Sequence, residues 1–454
     1  MPDPHNDVSN PQNSAMDAVI AAYSRFVPEE ALGLMGRESI TDVDLGDHVE
    51  KTMTILFADI RDFSALSEEM TPRENFAFIN DYLNRMEPAI ARHGGIIDKY
   101  IGDGIMALFP ENADDALRGA IEMLKILGAF NKERETAGMQ PIRIGIGLNT
   151  GLMMLGIIGG RDRMESTVIS DAVNLAARIE GMTKRYGAPL LISEHTYYGL
   201  RDAARHDTRF IDRVMVKGKR QPQSVYEVFD ADPPEQRDAK RATKALFGEA
   251  LAYYHFKEAS RALELLSECL RMAPGDTVAL AYRDRCKRFL ETGYHEGTGE
   301  VDLRIAWDDS LSIGETEIDA QHQELFRRVA GFVEAVRRDR NYSKIHEVVE
   351  FLDHYIVHHF AAEERCMAAH KYPFLPLQVD QHRRFRKYFD NFKREIEKNL
   401  DSHPTFLLFR TQVLVIDWIM HHVSKIDRHF GRFLSHADIT TGGNSNEPGS
   451  GFPA

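Results

Sequence analysis

The sequence is poor in the features that mark secreted, membrane-spanning and nucleic-acid-binding proteins. Its three cysteines, Cys269, Cys286 and Cys366, are too few and too scattered for a disulfide framework, which predicts a reducing compartment, the cytoplasm. No run approaches the roughly 18 apolar residues of a transmembrane helix, and the polar N-terminus lacks the apolar core of a signal peptide. Basic residues are outnumbered, with 56 Lys and Arg against 70 Asp and Glu and a formal charge of −14. This balance argues against a nucleic-acid or anionic-membrane partner.

The length of 454 residues predicts several domains, because one domain usually spans about 100–200 residues. Residues 1–48 have the composition of a disordered, partly helical lead-in. Strand and helix signals then alternate through residues 49–230, which indicates an α+β domain. Residues 231–242 are polar and contain proline, so they are interpreted as a linker.

The C-terminal half is predicted to be helical. Residues 243–292 resemble one tetratricopeptide-type helical hairpin, which needs a neighbour to bury its apolar face. Residues 303–437 carry helical periodicity with short connections, typical of an all-α four-helix bundle. The tail at 438–454 is predicted to be disordered. The fold class is therefore multidomain: an α+β domain, a helical connector and a bundle.

Two carboxylates in the α+β domain occupy positions where they could share metal ions. The run TMTILFA predicts a buried strand that ends near Asp59, and Asp103 lies at the turn of a predicted hairpin. Carboxylates at adjacent strand ends suit Mg²⁺ or Mn²⁺. Each alone would equally fit a helix N-cap or a turn residue, so spacing leaves both interpretations open.

Five segments of this domain resemble class III adenylyl cyclases. They are TILFADIRDF, DKYIGDGIMALF, IRIGIGLNTG, STVISDAVNLAARIE and VKGKRQPQSVYEV, in the family's order and spacing between about Arg25 and Val228. The resemblance implies a ferredoxin-like nucleotide cyclase fold and a two-metal enzyme that cyclises a nucleoside triphosphate as a head-to-tail homodimer. By matched position, Asp59 and Asp103 would hold two Mg²⁺ or Mn²⁺ ions.

The resemblance also implies a base-reading pair, Lys99 and Thr167. A Lys donor suits N1 of adenine and a Thr hydroxyl can accept from the 6-amino group, whereas guanine presents the opposite pattern at both atoms. Guanylyl cyclases of this family typically carry Glu and Cys or Ser there. The pair therefore predicts ATP as the substrate. Thr in place of the commoner Asp resembles a subgroup often responsive to bicarbonate.

Four further residues match family positions that handle the ribose and the phosphates. Asn174 and Arg178 are four apart on one predicted helix and share a face. The resemblance gives them the tasks of orienting the ribose and stabilising charge on the reacting phosphate. Arg143 matches a triphosphate-binding arginine, and Lys219 is a weaker candidate for the same task. Each alone could be a solvated surface residue, but the complete set favours a catalytic site.

Histidine is unevenly distributed, because 12 of the 19 lie between His322 and His436. The excess fits either imidazole-rich helix surfaces or a metal site. Eight of the twelve are predicted to be surface or core residues without a ligand role: His346, His354, His358, His370, His403, His421, His429 and His436.

The remaining four histidines fall one on each predicted helix of the bundle, with two carboxylates nearby in sequence. Bundles build dinuclear metal sites from such inward-pointing ligands, and a carboxylate on each of two helices can bridge two metals. The predicted ligands are His322, His359, Glu363, His382, His422 and Asp427.

The segments IDAQH, HFAAEE and WIMHHVSKID, with YPFLP before His382, resemble bacterial hemerythrins over about Ile305 to Leu434. The resemblance implies a non-haem di-iron site that binds O₂ reversibly, with the two carboxylates bridging. The family has a further His four residues before His382, where this chain has Gln378. Three outcomes are open: weak ligation by Gln378 or water, lower metal affinity, or a vacant position for O₂, NO or another ligand.

These patterns lead to one main hypothesis and two alternatives. The main hypothesis is an adenylate cyclase that binds ATP, forms a homodimer and is regulated through the connector by a bundle that senses O₂ or redox state. One alternative is an O₂-binding or iron-binding protein whose cyclase portion is an inactive scaffold. The other is a constitutive cyclase with a structural bundle, which the glutamine at 378 favours.

Overall fold

The computed structural model describes residues 29–160, 163–215, 222–296, 306–339, 344–399, 404–416, 418 and 422–440. The chain divides into two compact units, one of Met1–His206 with Glu227–Ala231 and one of Asp207–Tyr226 with Asp232–Ala454. The predicted fold class is confirmed, since a mixed sheet with helices is followed by a helical region. The predictions for residues 1–28, Lys219, His403, His421 and residues 441–454 lie outside the described residues.

The first unit is built around a mixed sheet. Its strand order is β2-β3-β1-β4-β6, with β5 paired to β4; β1 is antiparallel to both of its neighbours and β4 is parallel to β6. The elements are α1 (Glu29–Leu34), β1 (His48–Ile60), α2 (Phe63–Glu68), α3 (Pro72–Arg92), β2 (Ile96–Ile101), β3 (Gly104–Phe109), α4 (Ala113–Thr136), β4 (Ile144–Gly160), β5 (Arg163–Ile169), α5 (Asp171–Tyr186), β6 (Leu190–Ser193) and α6 (Glu194–Gly199).

Helix α5 packs closely on the sheet. It begins after Ser170, whose hydroxyl caps it by accepting a hydrogen bond from the backbone N–H of Ala172. At Gly147 of β4, a Cβ atom would lie 2.7 Å from the carbonyl oxygen of Ala176 and would collide with the backbone nitrogen of Glu180. Only glycine permits this approach, which fixes the helix that carries Asn174 and Arg178.

The second unit contains two strands, three connector helices and the bundle. Strands β7 and β8 are hydrogen-bonded neighbours. The elements are β7 (Thr208–Met215), β8 (Pro222–Val228), α7 (Pro234–His255), α8 (Ala259–Met272), α9 (Thr277–Thr292), α10 (Thr316–Asp339), α11 (Lys344–Ala369), α12 (Leu375–Asn399), α13 (Pro404–Arg410), two π-helical segments (Thr411–Ile416 and His422–Asp427) and α14 (Arg428–Thr440).

Two predicted boundaries are wrong. The segment 231–242 is mostly helical, because α7 begins at Pro234. Proline is favourable at the first helical position, and the buried Lys240 pairs with Asp232 at 2.6 Å, so the proline and charge there do not indicate a loop. The predicted tail from 438 is also too long, since α14 continues to Thr440. None of the helices that the structure describes combines the length and apolarity of a membrane span.

Buried polar contacts join the connector helices to strand β7. The guanidinium of Arg209 forms a bidentate ion pair with Asp276, at 2.6 Å on both sides. Arg285 lies 3.1 Å from Asp212, and the hydroxyl of Tyr282 donates to the backbone carbonyl of β7 at 2.7 Å. Because these charged side chains are buried, removing one partner would leave the other uncompensated. The connector is therefore fixed to this strand.

The connector also contacts the start of the last part of the bundle. The buried carboxylate of Glu249 in α7 accepts hydrogen bonds from the backbone N–H groups of Thr405 and Phe406, at 3.3 and 2.5 Å. One turn away, the ring of Phe409 stacks on His255 with centroids 4.9 Å apart. Helix α7 thus holds α13 at its first turn.

Candidate active site and candidate metal centre

Asp59 and Asp103 converge on one backbone amide. Strands β1 and β3 are antiparallel neighbours, so the end of β1 lies beside the turn that precedes β3. The backbone nitrogen of Ile60 is 3.1 Å from Oδ1 of Asp59 and 3.2 Å from Oδ2 of Asp103. Burial, together with the hydrogen bond and charge of Asp59, raises the pKa of Asp103 to about 7. A shared divalent cation would relieve this repulsion, so the oxygen pair fits Mg²⁺ or Mn²⁺.

The predicted base-reading residues lie together on the sheet of one chain. The Nζ atom of Lys99 is 3.2 Å from Oγ1 of Thr167 and 2.8 Å from a carboxylate oxygen of Glu165. The pairing of β2 with β3 shifts register between Ile97 and Lys99, which leaves Asp98 as the extra residue of a β-bulge. Its buried carboxylate lies 3.5 Å from Nζ of Lys99. The sequence reasoning missed both acidic neighbours of this lysine.

The phosphate-handling candidates occupy two places. Asn174 and Arg178 are both exposed and one turn apart on α5, as their spacing predicts. Arg143 is also exposed and lies 3.6 Å from Asp62, which pairs with Lys184 at 2.7 Å. Asp62 has a left-handed backbone with φ of 55° in the turn between β1 and α2. This turn therefore gathers two cationic side chains immediately after the strand that carries Asp59.

The bundle brings all of its predicted ligands into one buried cluster. Every member is at most 2% exposed, although each carries a polar or charged group. Buried polar groups require partners, so their convergence needs a chemical explanation. The cluster consists of His322, His359, Glu363, Gln378, His382, His422 and Asp427.

The four imidazoles of the cluster form two pairs. The Nε2 atoms of His322 and His359 are 3.2 Å apart, and those of His382 and His422 are 3.1 Å apart. Burial lowers the pKa of His322 to about 4 and also lowers the pKa of His359 and His422. Neutral imidazoles are the form that binds metal. The two pairs therefore offer two neighbouring cation positions.

Asp427 reaches both imidazole pairs. Its Oδ2 atom is 3.2 Å from Nε2 of His322, and its Oδ1 atom is 3.2 Å from Nε2 of His422. Burial and the neighbouring charge of Glu363 raise the pKa of Asp427 well above its usual range. A carboxylate with one oxygen toward each pair has the arrangement of a bridging ligand between two metals.

Glu363 also lies between the two imidazole pairs, but through one carboxylate oxygen. Its Oε2 atom is 3.2 Å from Nε2 of His382, 3.3 Å from Nε2 of His422 and 3.9 Å from Nε2 of His359. The side-chain amide of Gln378 donates to Glu363 at 3.3 Å and to Asp427 at 3.4 Å. Its Oε1 atom is buried and has no hydrogen-bond partner among the described residues. This unpaired oxygen, with the two imidazole pairs, fits a site for two metal ions.

Two residues that the sequence reasoning missed orient the imidazoles. The Nδ1 atom of His359 is 2.9 Å from Oε1 of Gln321, and Nδ1 of His382 is 2.8 Å from a carboxylate oxygen of Glu364. Each contact lets Nδ1–H donate and leaves the Nε2 lone pair facing the cluster. Gln321 and Glu364 are sequence neighbours of His322 and Glu363, and this adjacency was the only available signal.

Aromatic rings cover the imidazoles. Phe360 stacks on His382 with centroids 3.8 Å apart, and Trp418 stacks on His422 at 4.5 Å. Tyr355 lies parallel to His359 at 4.8 Å. These contacts fix the ring planes and lower the local polarity, which strengthens interactions between the ligands and a bound cation.

The two regions match two families. Residues 47–229 match the adenylate and guanylate cyclase catalytic domain, and residues 314–434 match the hemerythrin HHE cation-binding domain. The first region therefore belongs to the nucleotide cyclase catalytic domains. The second belongs to the hemerythrin HHE domains, so this chain carries a cyclase catalytic domain followed by a hemerythrin domain.

Similar proteins cover parts of the chain. An adenylate cyclase of Anabaena cylindrica is 45% identical over 213 residues, 46% of this chain and 42% of that protein. A terminal-differentiation-specific adenylate cyclase of Dictyostelium discoideum is 33% identical over 306 residues, 64% of this chain and 14% of that protein. The crystal structure of adenylyl cyclase CyaB from P. aeruginosa is 32% identical, covering 40% of this chain and 96% of that one, with a TM-score of 0.37. This chain thus spans less than half the length of both curated relatives.

Proposed function

We propose that this chain is an adenylate cyclase that converts ATP to 3′,5′-cyclic AMP and pyrophosphate. The observation that carries the proposal is the 3.2 Å separation of Lys99 Nζ and Thr167 Oγ1. A cationic donor beside a hydroxyl complements N1 and the 6-amino group of adenine, whereas the lysine conflicts with the N1–H donor of guanine. The similarity to proteins named adenylate cyclase supports the same substrate.

In the proposed reaction, the ribose 3′-hydroxyl loses its proton to solvent water and its oxygen attacks the α-phosphorus. The bond from that phosphorus to the pyrophosphate oxygen breaks. Asp59 and Asp103 would hold two Mg²⁺ or Mn²⁺ ions, which would supply a lower pKa for the hydroxyl and neutralise charge on the leaving group. Asn174 would orient the ribose, and Arg178 would stabilise charge on the reacting phosphate. Arg143 and Lys219 would bind the triphosphate.

The proposed enzyme is a head-to-tail homodimer in which Lys99 of one subunit meets the carboxylate pair of the other. Exposed apolar side chains on β2, β4 and β5 support this arrangement, because such a surface favours burial against a partner. They are Tyr100, Ile101, Ile158, Met164 and Ile169. A second copy of the chain is the partner that the family resemblance implies.

We further propose that the buried cluster of the bundle holds a non-haem di-iron site that binds O₂ or responds to redox state. Two irons would supply reversible O₂ binding or electron transfer. His322 and His359 would hold one iron, His382 and His422 the other, and the carboxylates of Glu363 and Asp427 would bridge them. Gln378 stands where the second iron would otherwise have a third imidazole, so this chain offers a weaker ligand or an open position there.

Regulation would pass through the connector. Helix α7 holds the first turn of α13 through the carboxylate of Glu249, and the chain continues from α13 to the segment with His422 and Asp427. A change at the iron site that shifts this segment would therefore also shift its contacts with α7. A ligand can drive such a shift only if it binds one arrangement of the bundle more tightly than the other, and a tenfold change in cyclase activity needs about 1.4 kcal/mol of coupling free energy.

One assay tests the cyclase and its control together. Purified full-length protein is incubated with ATP and Mg²⁺ or Mn²⁺, once in air and once after dithionite reduction, and cyclic AMP is measured with iron content. Asp59→Asn serves as the catalytically inactive control. Absence of cyclic AMP with either metal would refute the cyclase proposal. Equal rates in both states with a filled iron site would refute the regulatory proposal alone.

The proposed compartment is the cytoplasm. All three cysteines are unpaired, as expected where thiols stay reduced. ATP, the proposed substrate, is available there. The pairing state of these cysteines in protein isolated without reductant tests this proposal, because a disulfide would contradict it.

A further inference from the structure

A second group of ligand-type side chains lies at one end of the bundle, apart from the buried cluster. Glu315 directly precedes α10, while Cys366 and His370 are one turn apart near the end of α11. Ligand atoms from the three residues all lie within 4.8 Å of one another. Nε2 of His370 is 4.0 Å from Oε1 of Glu315, and Sγ of Cys366 lies beside the same ring, 3.7 Å from its other nitrogen, Nδ1. Tetrahedral zinc ligands stand about 3.3–3.8 Å apart, given Zn–S and Zn–N bonds of about 2.3 and 2.0 Å, so the separation of Nε2 and Oε1 is close to that of two zinc ligands.

The His370 ring is already oriented as a ligand. Its Nδ1 atom is 2.9 Å from the backbone carbonyl oxygen of Cys366, so Nδ1–H donates there and the lone pair is on Nε2. Metal-binding histidines commonly have this second hydrogen bond. The ring also packs edge-on against Phe430, with centroids 6.2 Å apart. The nitrogen that faces Glu315 is therefore the one able to bind a cation.

Cys366 is the one cysteine accessible to a metal ion, since Cys269 and Cys286 are fully buried. Burial and the nearby carboxylates, with Glu315 foremost, raise the pKa of the Cys366 thiol to about 11. A cysteine binds metal as the thiolate, so Zn²⁺ binding would release the thiol proton. The same carboxylates make the local potential attractive to a cation.

We propose that Glu315, Cys366 and His370 form a second metal site that binds Zn²⁺, with water as the fourth ligand. The mixture of thiolate, imidazole and carboxylate suits this borderline cation better than Mg²⁺ or Ca²⁺. Zn²⁺ would tie the start of α10 to the end of α11. The site is independent of the proposed cyclase activity and of the proposed iron site.

Cobalt titration of the full chain tests the site, because Co²⁺ substitutes for Zn²⁺ and gives a near-ultraviolet charge-transfer band only with a thiolate ligand. The buried cluster contains no cysteine, and the exposed His354 and His358 pair would bind without this band. We expect one equivalent of Co²⁺ to produce the charge-transfer band, and added Zn²⁺ to remove the band by displacing Co²⁺. The band should vanish in Cys366→Ser.

The other two ligands are tested by His370→Gln and Glu315→Gln. Removing a residue that only hydrogen-bonds to a metal ligand lowers metal affinity about 10- to 100-fold. Removing a ligand itself should therefore weaken Co²⁺ binding at least about tenfold in each variant. His346→Gln, an exposed histidine of the same helix, is the matched control and should bind normally. Absence of the band in the parent protein overturns the proposal. A band equally strong in both variants also overturns it, because it would come from the thiolate alone.

Protection of Cys366 from alkylation gives a second measurement that needs no ligand variant. Zn²⁺ should slow iodoacetamide labelling of Cys366 in the parent protein by at least about tenfold, as mass spectrometry of the labelled peptide would show. The protection should be lost in His370→Gln. Labelling at the same rate with and without Zn²⁺ would contradict the site.

Discussion

The Nε2 atom of His422 lies 3.2 Å from Oδ1 of Asp427, although the two residues are five apart in the chain. In an α-helix, side chains five apart point about 140° away from each other. The segment His422–Asp427 is instead π-helical, and its i to i+5 hydrogen bonding brings its two ends onto one face. The π segment therefore delivers an imidazole and a carboxylate to the same buried cluster.

The first prediction separates a ligand from its sequence neighbour. His359→Gln should lower the iron retained per chain, because Nε2 of His359 faces the cluster, whereas the adjacent residue in sequence, His358, is exposed. Iron is measured after dialysis against a chelator, and we expect affinity to fall at least about tenfold. His358→Gln is the matched control and should keep its iron. Equal losses in both variants would contradict the assignment.

The second prediction concerns the missing imidazole. Gln378→His should increase iron retention under chelator challenge, because an imidazole is a stronger iron ligand than an amide and the position is fully buried among the carboxylates. Gln381→His makes the same substitution one turn along α12 and should leave retention unchanged. A Gln378→His protein that releases iron as fast as the parent would show that position 378 does not face the metal.

Much of the candidate site follows from local sequence. The Gly102-Asp103-Gly104 turn lies between β2 and β3 as its residues predict, and Asn174 and Arg178 share the exposed face of α5. The spacing of four residues between His359 and Glu363 likewise predicts that both side chains lie on one face of a helix. These features depend on contacts within a few residues, which hydrophobic periodicity and turn chemistry describe well.

Other features depend on partners distant in the chain and could not be predicted. Glu165 pairs with Lys99 from 66 residues away, and Glu249 reaches Phe406 from 157 residues away. The β-bulge at Asp98 changes the register without a glycine or proline to mark it. The π segments TQVLVI and HVSKID contain no glycine or proline that would distinguish them from ordinary helix in sequence.

The third prediction tests base selection. Lys99→Glu with Thr167→Cys should reduce kcat/KM for ATP by about 10- to 150-fold, the equivalent of about 1.5–3 kcal/mol for hydrogen bonds to a charged group. The double variant should also admit GTP, because it reverses the donor and acceptor pattern. Cyclic AMP and cyclic GMP are measured separately, and the exposed Lys125→Glu is the control. An unchanged rate with ATP would contradict the base-reading role.

The fourth prediction concerns pH and the catalytic metal. The pKa of Asp103 is raised to about 7, so its carboxyl is mainly ionised at pH 8 and mainly protonated at pH 6. A cation must displace that proton, and apparent Mn²⁺ affinity should therefore fall as pH falls, by up to about tenfold per pH unit below 7.

Electron paramagnetic resonance of free Mn²⁺ measures this affinity between pH 8 and pH 6. Asp103→Asn is the control, since it should bind Mn²⁺ more weakly and lose this pH dependence. Affinity that is constant over the range in the parent protein would contradict the prediction.

The fifth prediction tests the path from the bundle to the connector. Glu249→Gln keeps the side-chain shape but removes the charge that accepts both backbone N–H groups at the start of α13. Hydrogen bonds to a charged acceptor are worth about 1.5–3 kcal/mol, which exceeds the roughly 1.4 kcal/mol needed for a tenfold regulatory effect. We therefore expect the ratio of cyclase rates in air and after dithionite to move toward one. Iron content should not change, because Glu249 is not among the ligands.

Glu264→Gln, whose carboxylate pairs with Arg261 on the connector surface, is the matched control. A variant that keeps the parental ratio would show that regulation does not pass through this contact.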